Sequence, residues 1–379
     1  MREPLTIADQ SIHLPVIDGL RGIAVLMVLL VHTSQRVGNV NLQAFQFPFI
    51  GEFINGGARG VELFFLLSAF TLFRSSKMKY AEESSPRRNF YIRRAFRILP
   101  LWWLIVTLYV AWQGRSVSES LPSYLLYFGF IRYQPGTDVF PLGWTIFVEE
   151  TFYLMLPIVF GFVQNVRRAA LFFVVMWVIH KLWRSIAISS GVPNTNGFID
   201  LFPFEHWPTL ALGIVLYWIY SDGVTYRKLQ GRRYAWVLDS VAVLLLLLTL
   251  GGTRTNASFG LAVMILAALS EHTVIGRLCR SACLRYFGVS CYSIYLLHFL
   301  VLDLSDGLKE STFSFLGVDQ SPVEVKLLVW LPAVALLCLA LCSAVFRGIE
   351  KPFVGLGKRL IRRLEDNQVK VLPQSEPVA

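Results

Sequence analysis

The most unusual feature of the chain is a pair of ionisable residues in an apolar stretch near its N-terminus. The segment VIDGLRGIAVLMVLLVHT, residues 16–33, carries Arg21 and His32 among side chains typical of a membrane-spanning helix. Eleven residues of α-helix make three turns plus about 20°, so both side chains share a face, about 16 Å apart along the axis. Charged groups inside a bilayer are costly and normally face protein or a wet cavity. This face therefore combines a cation that can bind an anion with an imidazole that can act as a base.

Three further ionisable residues are predicted at the depth of His32. If each apolar segment begins at a membrane surface, Glu62 and Glu149 lie about 8 and 9 Å below one surface. His298 then lies about 20 Å from the other surface of a core about 30 Å thick. A histidine beside a carboxylate is the usual arrangement of a general base and the group that orients it. We therefore predict that His32, Glu149 and Glu62 are catalytic and that His298 belongs to the substrate site.

Two arginines near the opposite surface have the spacing of a phosphate site. In the segment NFYIRRAFRILPLWW, Arg94 and Arg97 are three residues apart and share a helix face. Each guanidinium can donate two parallel hydrogen bonds to a phosphate. With Arg21 they are predicted to bind a phosphate-bearing substrate. The alternative is that they only anchor the topology, because basic residues are abundant in this loop.

These residues must be positioned by membrane-spanning helices. Of the 379 residues, 55% are hydrophobic and 16% charged, whereas soluble domains carry about 25% charged residues. A span needs about 20 mostly apolar residues. We predict an all-α membrane protein of about ten transmembrane helices, at residues 16–35, 57–74, 97–113, 143–163, 169–188, 205–221, 234–251, 256–271, 285–304 and 325–347. The apolar stretch 124–132 is too short to span and is predicted to lie at the interface.

The distribution of positive charge predicts the orientation of these helices. About 25 of the 35 lysines and arginines fall at the termini and in alternate loops, and about seven in the opposite loops. Cytoplasmic loops carry the excess of basic residues, so both termini are predicted to be cytoplasmic. The net charge of +10 is then positive-inside charge, and we expect no nucleic-acid partner. Residues 1–350 are expected to form one membrane domain, followed by a basic and then polar cytoplasmic tail, 351–379.

The five cysteines all lie in the last third of the chain and are predicted to be packing thiols. Their spacing provides too few partners for a metal site. We expect no metal and no disulfide framework.

Several short segments, taken in order, resemble the acyltransferase-3 family of bacterial membrane proteins. The opening helix has the family's R-x10-H pattern at Arg21 and His32, and the pair Arg94 and Arg97 matches its R-x-x-R pattern. The other similar segments are GVELFFLLSAF, WTIFVEETFY, SIYLLH and GIEKPF. Two departures are Glu62, where the family usually has aspartate, and Ala69, where it usually has glycine. The resemblance covers nearly the whole chain.

The resemblance implies a bacterial inner-membrane enzyme that moves an acyl group, usually acetyl, from acyl-coenzyme A to a carbohydrate hydroxyl. Arg21, Arg94 and Arg97 would bind the phosphates of the donor, and Tyr153, in the motif around Glu149, would contact substrate. Acyl-coenzyme A would be a co-substrate, with no resident cofactor. His32 would be the general base, oriented by Glu149 or Glu62, or would itself accept the acyl group. Because no hydrolase-like domain follows the last predicted span, we expect the membrane domain or a separate partner to complete the transfer.

Two other functions are compatible with intramembrane carboxylates and histidines. A proton-coupled transporter uses such residues, although it more often shows two related halves with broken helices. A non-catalytic scaffold for polysaccharide enzymes is the second alternative. The acceptor is left open among lipopolysaccharide, exopolysaccharide, a glycolipid and a small glycoside, as are the acyl chain length and the oligomeric state.

Overall fold

A computed structural model of the chain describes residues 14–38, 45–80, 82–116, 142–194, 197–223, 231–249 and 254–371, with a few isolated positions besides. Within these residues the regular secondary structure is helical throughout. The predicted interfacial stretch 124–132 lies outside the described residues.

The helices are numbered here in chain order. They are α1 Pro15–Gly38, α2 Pro48–Asn55, α3 Gly60–Tyr80, α4 Pro86–Trp112, α5 Gly143–Phe162, α6 Val166–Ser189, α7 Phe198–Leu201, α8 Pro203–Ser221, α9 Arg232–Thr249, α10 Arg254–Leu269, α11 Val274–Cys279, α12 Ala282–Val289, α13 Cys291–Leu304, α14 Asp306–Leu316, α15 Val323–Val345 and α16 Lys351–Val371. A 3-10 turn, Gly56–Arg59, joins α2 to α3. A π-helical turn, Phe346–Glu350, joins α15 to α16.

The chain is a multi-pass membrane protein. Among the described residues, six helical stretches are long and apolar enough to cross a membrane, and a seventh is formed if the bent pair α12 and α13, 77° apart, counts as one span. Each predicted segment falls on a helix, but the shorter or less apolar ones do not pass this test. The count of ten is therefore not confirmed. The six stretches are Pro15–Gly38, Phe49–Tyr80, Pro86–Trp112, Gly143–Phe162, Val166–Ser189 and Val323–Gln368.

Helix α1 is packed on several sides, against α3, α12, α13 and α15. Glycines allow the closest of these contacts. A Cβ built on Gly22 would overlap the carbonyl oxygen of Leu284, and one built on Gly288 would overlap that of Asp18. Only a residue without Cβ permits this approach. The backbone of α12 therefore lies directly against the first turns of α1 and fixes the position of Arg21.

Residues 351–371, predicted as part of a polar tail, form a helix that continues from α15. Helix α16 packs along the first turns of α4, where a Cβ on Gly357 would come within 2.8 Å of the Phe96 Cβ. The Glu365 carboxylate accepts hydrogen bonds from the Ser84 backbone N–H at 2.8 Å and from Asn89 Nδ2 at 2.8 Å. The start of α4 and the length of α16 thus form an antiparallel pair.

The two ends of the bundle differ in their chemistry. The end at which α1 begins, α3 ends and α4 begins carries Arg21, Lys79, Arg94 and Arg97 and is called the basic end. The opposite end, toward which α1 runs to reach His32, is called the histidine end.

Candidate active site

A cavity of about 240 Å³ opens among α1, α3, α4, α5 and α13. Its wall on α3 runs from Val61 to Ser75, a rise of about 21 Å. In a core about 30 Å thick, it therefore extends from the basic end through more than half of the bundle. The charged and hydroxyl-bearing residues that line it include Asp18, Arg21, Ser68, Thr71, Arg74, Arg94, Arg97, Thr145, Glu149, Tyr153 and Tyr295.

The three arginines predicted to bind phosphate all line this cavity near its basic end. Arg21 Nη2 donates a hydrogen bond to Thr71 Oγ1 at 3.1 Å, and Arg21 Nη1 lies 3.9 Å from the Asp18 carboxylate. Arg94 lies over the Tyr153 ring, 5.9 Å from its centroid. The structure therefore brings Arg21, Arg94 and Arg97 together around one space, although Arg21 is more than 70 residues away in sequence.

Arg94 and Arg97 differ from Arg21 in lacking hydrogen-bond and ion-pair partners among the described residues. With the described residues, neither guanidinium makes a hydrogen bond or an ion pair within 4 Å, and Arg94 Nε is buried without a partner. Glu149 and Glu350 are near enough for their fields to act on these arginines, but not close enough to pair with them. Both arginines are partly buried, and a partly buried cation without a bound anion is unfavourable. An anionic ligand in the cavity would supply the missing interactions.

The wall on α5 carries a carboxylate and a phenol one turn apart. Glu149 and Tyr153 both line the cavity, and the Tyr153 hydroxyl lies 2.5 Å from Ser68 Oγ on α3. Tyr153 is almost fully buried. The predicted site residues of α5 thus lie in the same cavity as the arginines.

The part of the cavity toward the histidine end is lined by a hydrogen-bonded pair, which is called the closure here. The Tyr295 hydroxyl donates to Thr145 Oγ1 at 3.0 Å, and the Phe64 ring packs edge-on against Tyr295 with centroids 5.8 Å apart. All three residues line the cavity. A long substrate that entered from the basic end would therefore place its tip against Tyr295 and Thr145.

His32 and His298 form a pair just beyond this closure. Their ring centroids are 5.2 Å apart. The sequence predicts only that the two residues lie at a similar depth, and the structure places their rings side by side. His298 lies one turn beyond Tyr295, and its Nδ1 donates to the Tyr295 carbonyl oxygen at 2.7 Å. Because Nδ1 holds the proton in this bond, Nε2 of His298 is left as an acceptor, and it has no hydrogen-bond partner within the described part of the chain.

The hydrogen-bond partner of His32 is a residue that the sequence analysis missed. His32 Nδ1 donates to Gln35 Oε1 at 3.0 Å, because an amide oxygen can only accept. This bond leaves Nε2 of His32 as the basic nitrogen. Glu62 instead pairs with Arg59 at 3.4 Å, and Glu149 lies in the cavity, so the described contacts place neither predicted carboxylate on the ring. The i, i+3 spacing of His32 and Gln35 was the available signal.

The position of His32 is supported one residue after Gln35. Arg36 forms an ion pair with Asp303 and a weaker one with Asp306 at 3.5 Å. These contacts join the end of α1 to the end of α13 and the start of α14. These ion pairs therefore hold together α1 and α13, the helices that carry His32 and His298, close to the histidine pair.

No grouping of three His, Cys, Asp or Glu side chains that could hold a metal ion occurs within the described residues. The site thus combines a cation cluster, a cavity of about 21 Å along α3 and a pair of imidazoles beyond its closed end.

Comparisons with known proteins point to one class of enzyme. A family model described as an acyltransferase domain matches residues 14–347. A protein of Staphylococcus aureus provisionally named an O-acetyltransferase is 22% identical over 378 residues, which is 90% of this chain and 57% of that protein. A protein of Bacillus subtilis provisionally named a peptidoglycan O-acetyltransferase is 26% identical over 336 residues, which is 79% of this chain and 50% of that protein.

A peptidoglycan O-acetyltransferase of Listeria monocytogenes is 22% identical over 336 residues, which is 79% of this chain and 51% of that protein. The chain thus spans about half the length of the curated relatives it matches. No solved structure matches it significantly.

Proposed function

Because the chain belongs to the acyltransferase-3 family, we propose that it transfers an acyl group, specifically acetyl, from acyl-coenzyme A to a hydroxyl of a carbohydrate or glycan. The relatives' names as O-acetyltransferases support acetyl transfer to oxygen, and two of those names favour a peptidoglycan-type acceptor. The proposal is made for this chain alone, which matches only part of each relative. Its co-substrate is acyl-coenzyme A, without a resident cofactor.

The basic end of the bundle is proposed to face the cytoplasm across the bacterial inner membrane. Both ends of the matched region support this orientation, since α1 begins and α15 ends at the basic end. The excess of lysine and arginine on this side agrees with the positive-inside rule. An even number of spans, about ten, with both termini cytoplasmic, follows from the same assignment.

The observation that carries the proposal is the cavity lined by Arg94 and Arg97, which have no ion-pair partner among the described residues. Coenzyme A is a polyanion on the cytoplasmic side of the membrane. Its pantetheine arm is roughly 15–20 Å long from ordinary bond lengths, and the cavity extends about 21 Å along α3. With its phosphates at Arg21, Arg94 and Arg97, the thioester reaches the closure at Tyr295.

The chemistry then lies between the closed end of the cavity and the histidine pair. The acceptor oxygen attacks the thioester carbonyl carbon, so that a C–O bond forms and the C–S bond breaks. His32 Nε2 takes the hydroxyl proton, and the departing thiolate of coenzyme A takes up a proton. A general base of this kind accelerates a reaction typically by 10²–10⁴-fold. An acyl-imidazole on His32 is the covalent variant of the same transfer.

The remaining proposed site residues have separate roles. Glu149 and Tyr153 line the cavity beside Arg94 and are proposed to position the donor. Glu62 follows Val61 at the end of the cavity wall, and the His298 ring lies beside that of His32, tilted by 31°. These two are proposed to set the electrostatic environment and orientation of the base.

Thiol release from acetyl-coenzyme A by the purified protein tests the proposal. The protein in lipid nanodiscs is incubated with acetyl-coenzyme A, with and without oligomers of N-acetylglucosamine. We expect free thiol in proportion to acetyl groups found on the oligomer by mass spectrometry. The proton-coupled transporter, which membership of this family does not favour, predicts no thiol release and instead proton uptake into proteoliposomes; that outcome would overturn the proposal.

A further inference from the structure

A row of cations continues beyond the basic end of the cavity. Thr71 and Ser75 line the cavity on α3, and Lys79 lies four residues after Ser75, on the same face of the helix. Within the described part of the chain, Lys79 makes no hydrogen bond or ion pair. A ligand that extends out of the cavity along α3 therefore next meets the Lys79 ammonium group.

Helix α16 brings a second lysine to the same place. Gly357 packs against Phe96 on α4, and Lys358 is the next residue. Lys79 lies within electrostatic range of the cations Arg93, Arg94 and Lys358 and of the Glu83 carboxylate. Lys358 also makes no ion pair with the described residues. The carboxylate in this range, Glu83, forms its ion pair with Arg93, so neither lysine has a salt bridge within the described part of the chain.

Arg93, in contrast, is a cation at the basic end whose charge is neutralised by a carboxylate. Its Nη1 lies 2.6 Å from the Glu83 carboxylate, so Arg93 already has a full partner. The two lysines have none that the structure describes. Their charges are available to a ligand.

The rotation of α16 that presents Lys358 is fixed by Glu365. The two residues are seven apart, about two turns, and so lie on nearly the same face. Glu365 accepts hydrogen bonds from Ser84 and Asn89, which turns this face toward the end of α3.

We propose that Lys79 and Lys358 bind the 3′-phosphate of the coenzyme A donor. The proposal rests on the proposed function. In coenzyme A the diphosphate lies between the pantetheine arm and the ribose. When the arm fills the cavity and the diphosphate contacts Arg94 and Arg97, the ribose 3′-phosphate lies beyond the mouth, on the side of α16. A phosphomonoester carries about −1.5 to −2 charge at neutral pH, which suits two ammonium groups.

Helix α16 lies outside the matched residues 14–347, so this part of the donor site belongs to the segment that follows the acyltransferase domain. The alternative is that both lysines are positive-inside anchors. Anchors would attract every anionic donor alike, whereas a 3′-phosphate site distinguishes donors that have this phosphate from those that lack it.

The experiment compares acetyl-coenzyme A with acetyl-3′-dephospho-coenzyme A. Dissociation constants are measured by calorimetry for the full chain in nanodiscs, for the wild type and for Lys79→Gln, Lys358→Gln and Arg363→Gln. Arg363 is the matched control, because it lies five residues after Lys358 on the exposed far side of the same helix. Thermal unfolding without ligand checks that each variant is folded.

The wild type is expected to bind acetyl-coenzyme A roughly tenfold more tightly than the 3′-dephospho donor, the effect of one charge-assisted hydrogen bond at the low end of its range. Each lysine variant should lose most of this preference while its affinity for the dephospho donor stays the same. Arg363→Gln should keep the preference. This pattern is a double-mutant cycle between side chain and phosphate.

Several results would overturn the proposal. A wild-type protein that binds both donors equally has no 3′-phosphate site. If the lysine variants bind both donors more weakly by the same factor, or if they retain the preference, the lysines act only through general electrostatic attraction. If the wild type binds neither donor, the proposed function fails as well, which separates that failure from failure of the 3′-phosphate site alone.

Discussion

Replacing Arg94 with methionine is the most informative test of the donor site. Arg94 lines the cavity and has no ion-pair partner among the described residues. Methionine keeps a long side chain and removes the guanidinium. The change should therefore leave the fold intact and weaken the binding of acyl-coenzyme A.

The expected loss follows from the contacts that the guanidinium would make. A hydrogen bond to a charged group contributes about 1.5–3 kcal/mol, and each 1.4 kcal/mol is tenfold in affinity. The dissociation constant should rise about 10- to 150-fold. At a donor concentration 100 times the wild-type dissociation constant, ligand binding stabilises the wild type by about 2.7 kcal/mol. The same concentration stabilises Arg94→Met by only about 0.3–1.4 kcal/mol.

A thermal-shift assay in nanodiscs measures this difference. At about 2 °C per kcal/mol for a large domain, the donor should raise the Tm of the wild type by about 5 °C and that of Arg94→Met by about 1 to 3 °C. Arg94→Lys should recover part of the shift, because the charge returns without the planar fork. Arg87→Met, at an exposed position on the same helix, is the control and should behave as the wild type. An Arg94→Met protein with the full wild-type shift would refute the reasoning.

Other predictions test the topology, the packing of α1 and the positioning of His32. Reporter fusions at Asn194 and Thr312 should read extracytoplasmic and a C-terminal fusion cytoplasmic; a C-terminal fusion that reads extracytoplasmic would contradict the proposed orientation. Gly22→Val should lower the Tm or prevent folding, because its Cβ would overlap the Leu284 carbonyl oxygen; a Tm equal to that of the wild type would show that the helices do not pack this closely. Gln35→Leu should lower kcat with the KM for the donor unchanged, since it removes the acceptor that holds Nδ1 of His32; steady-state kinetics with an unchanged kcat would remove Gln35 from the site.

The sequence was sufficient to predict the helices and to place several candidate residues on one face or at one depth. Within the described residues, each predicted span lies on helical segments, because a run of about 20 apolar residues has few other stable structures in a membrane. The spacing of Arg21 and His32 predicted one face, and the depth argument placed His32 and His298 at one level, where their rings are in fact 5.2 Å apart. These predictions required only the rise and the rotation per residue of a single helix.

The partners across helices could not be predicted in this way. Depth fixes how far a residue lies along the membrane normal, but not which neighbouring helix it faces. Glu149 faces the cavity with Tyr153 instead of His32, and the hydrogen-bond partner of His32 is Gln35 of its own helix. The docking of α16 likewise depends on the contact of Glu365 with Ser84, for which the local sequence gives no signal.

Turnover by His32→Gln measures the central claim most directly. Glutamine preserves a polar side chain but is not a base at neutral pH, so the account predicts a loss of acetyl transfer of about 10²-fold or more. Affinity for coenzyme A should stay near that of the wild type, because His32 lies about 16 Å along α1 from Arg21, outside the residues that line the cavity. The assay is thiol release and acetylated product from acetyl-coenzyme A, alongside calorimetric binding of coenzyme A. Near-normal turnover in His32→Gln would contradict the assignment of His32 as the catalytic base.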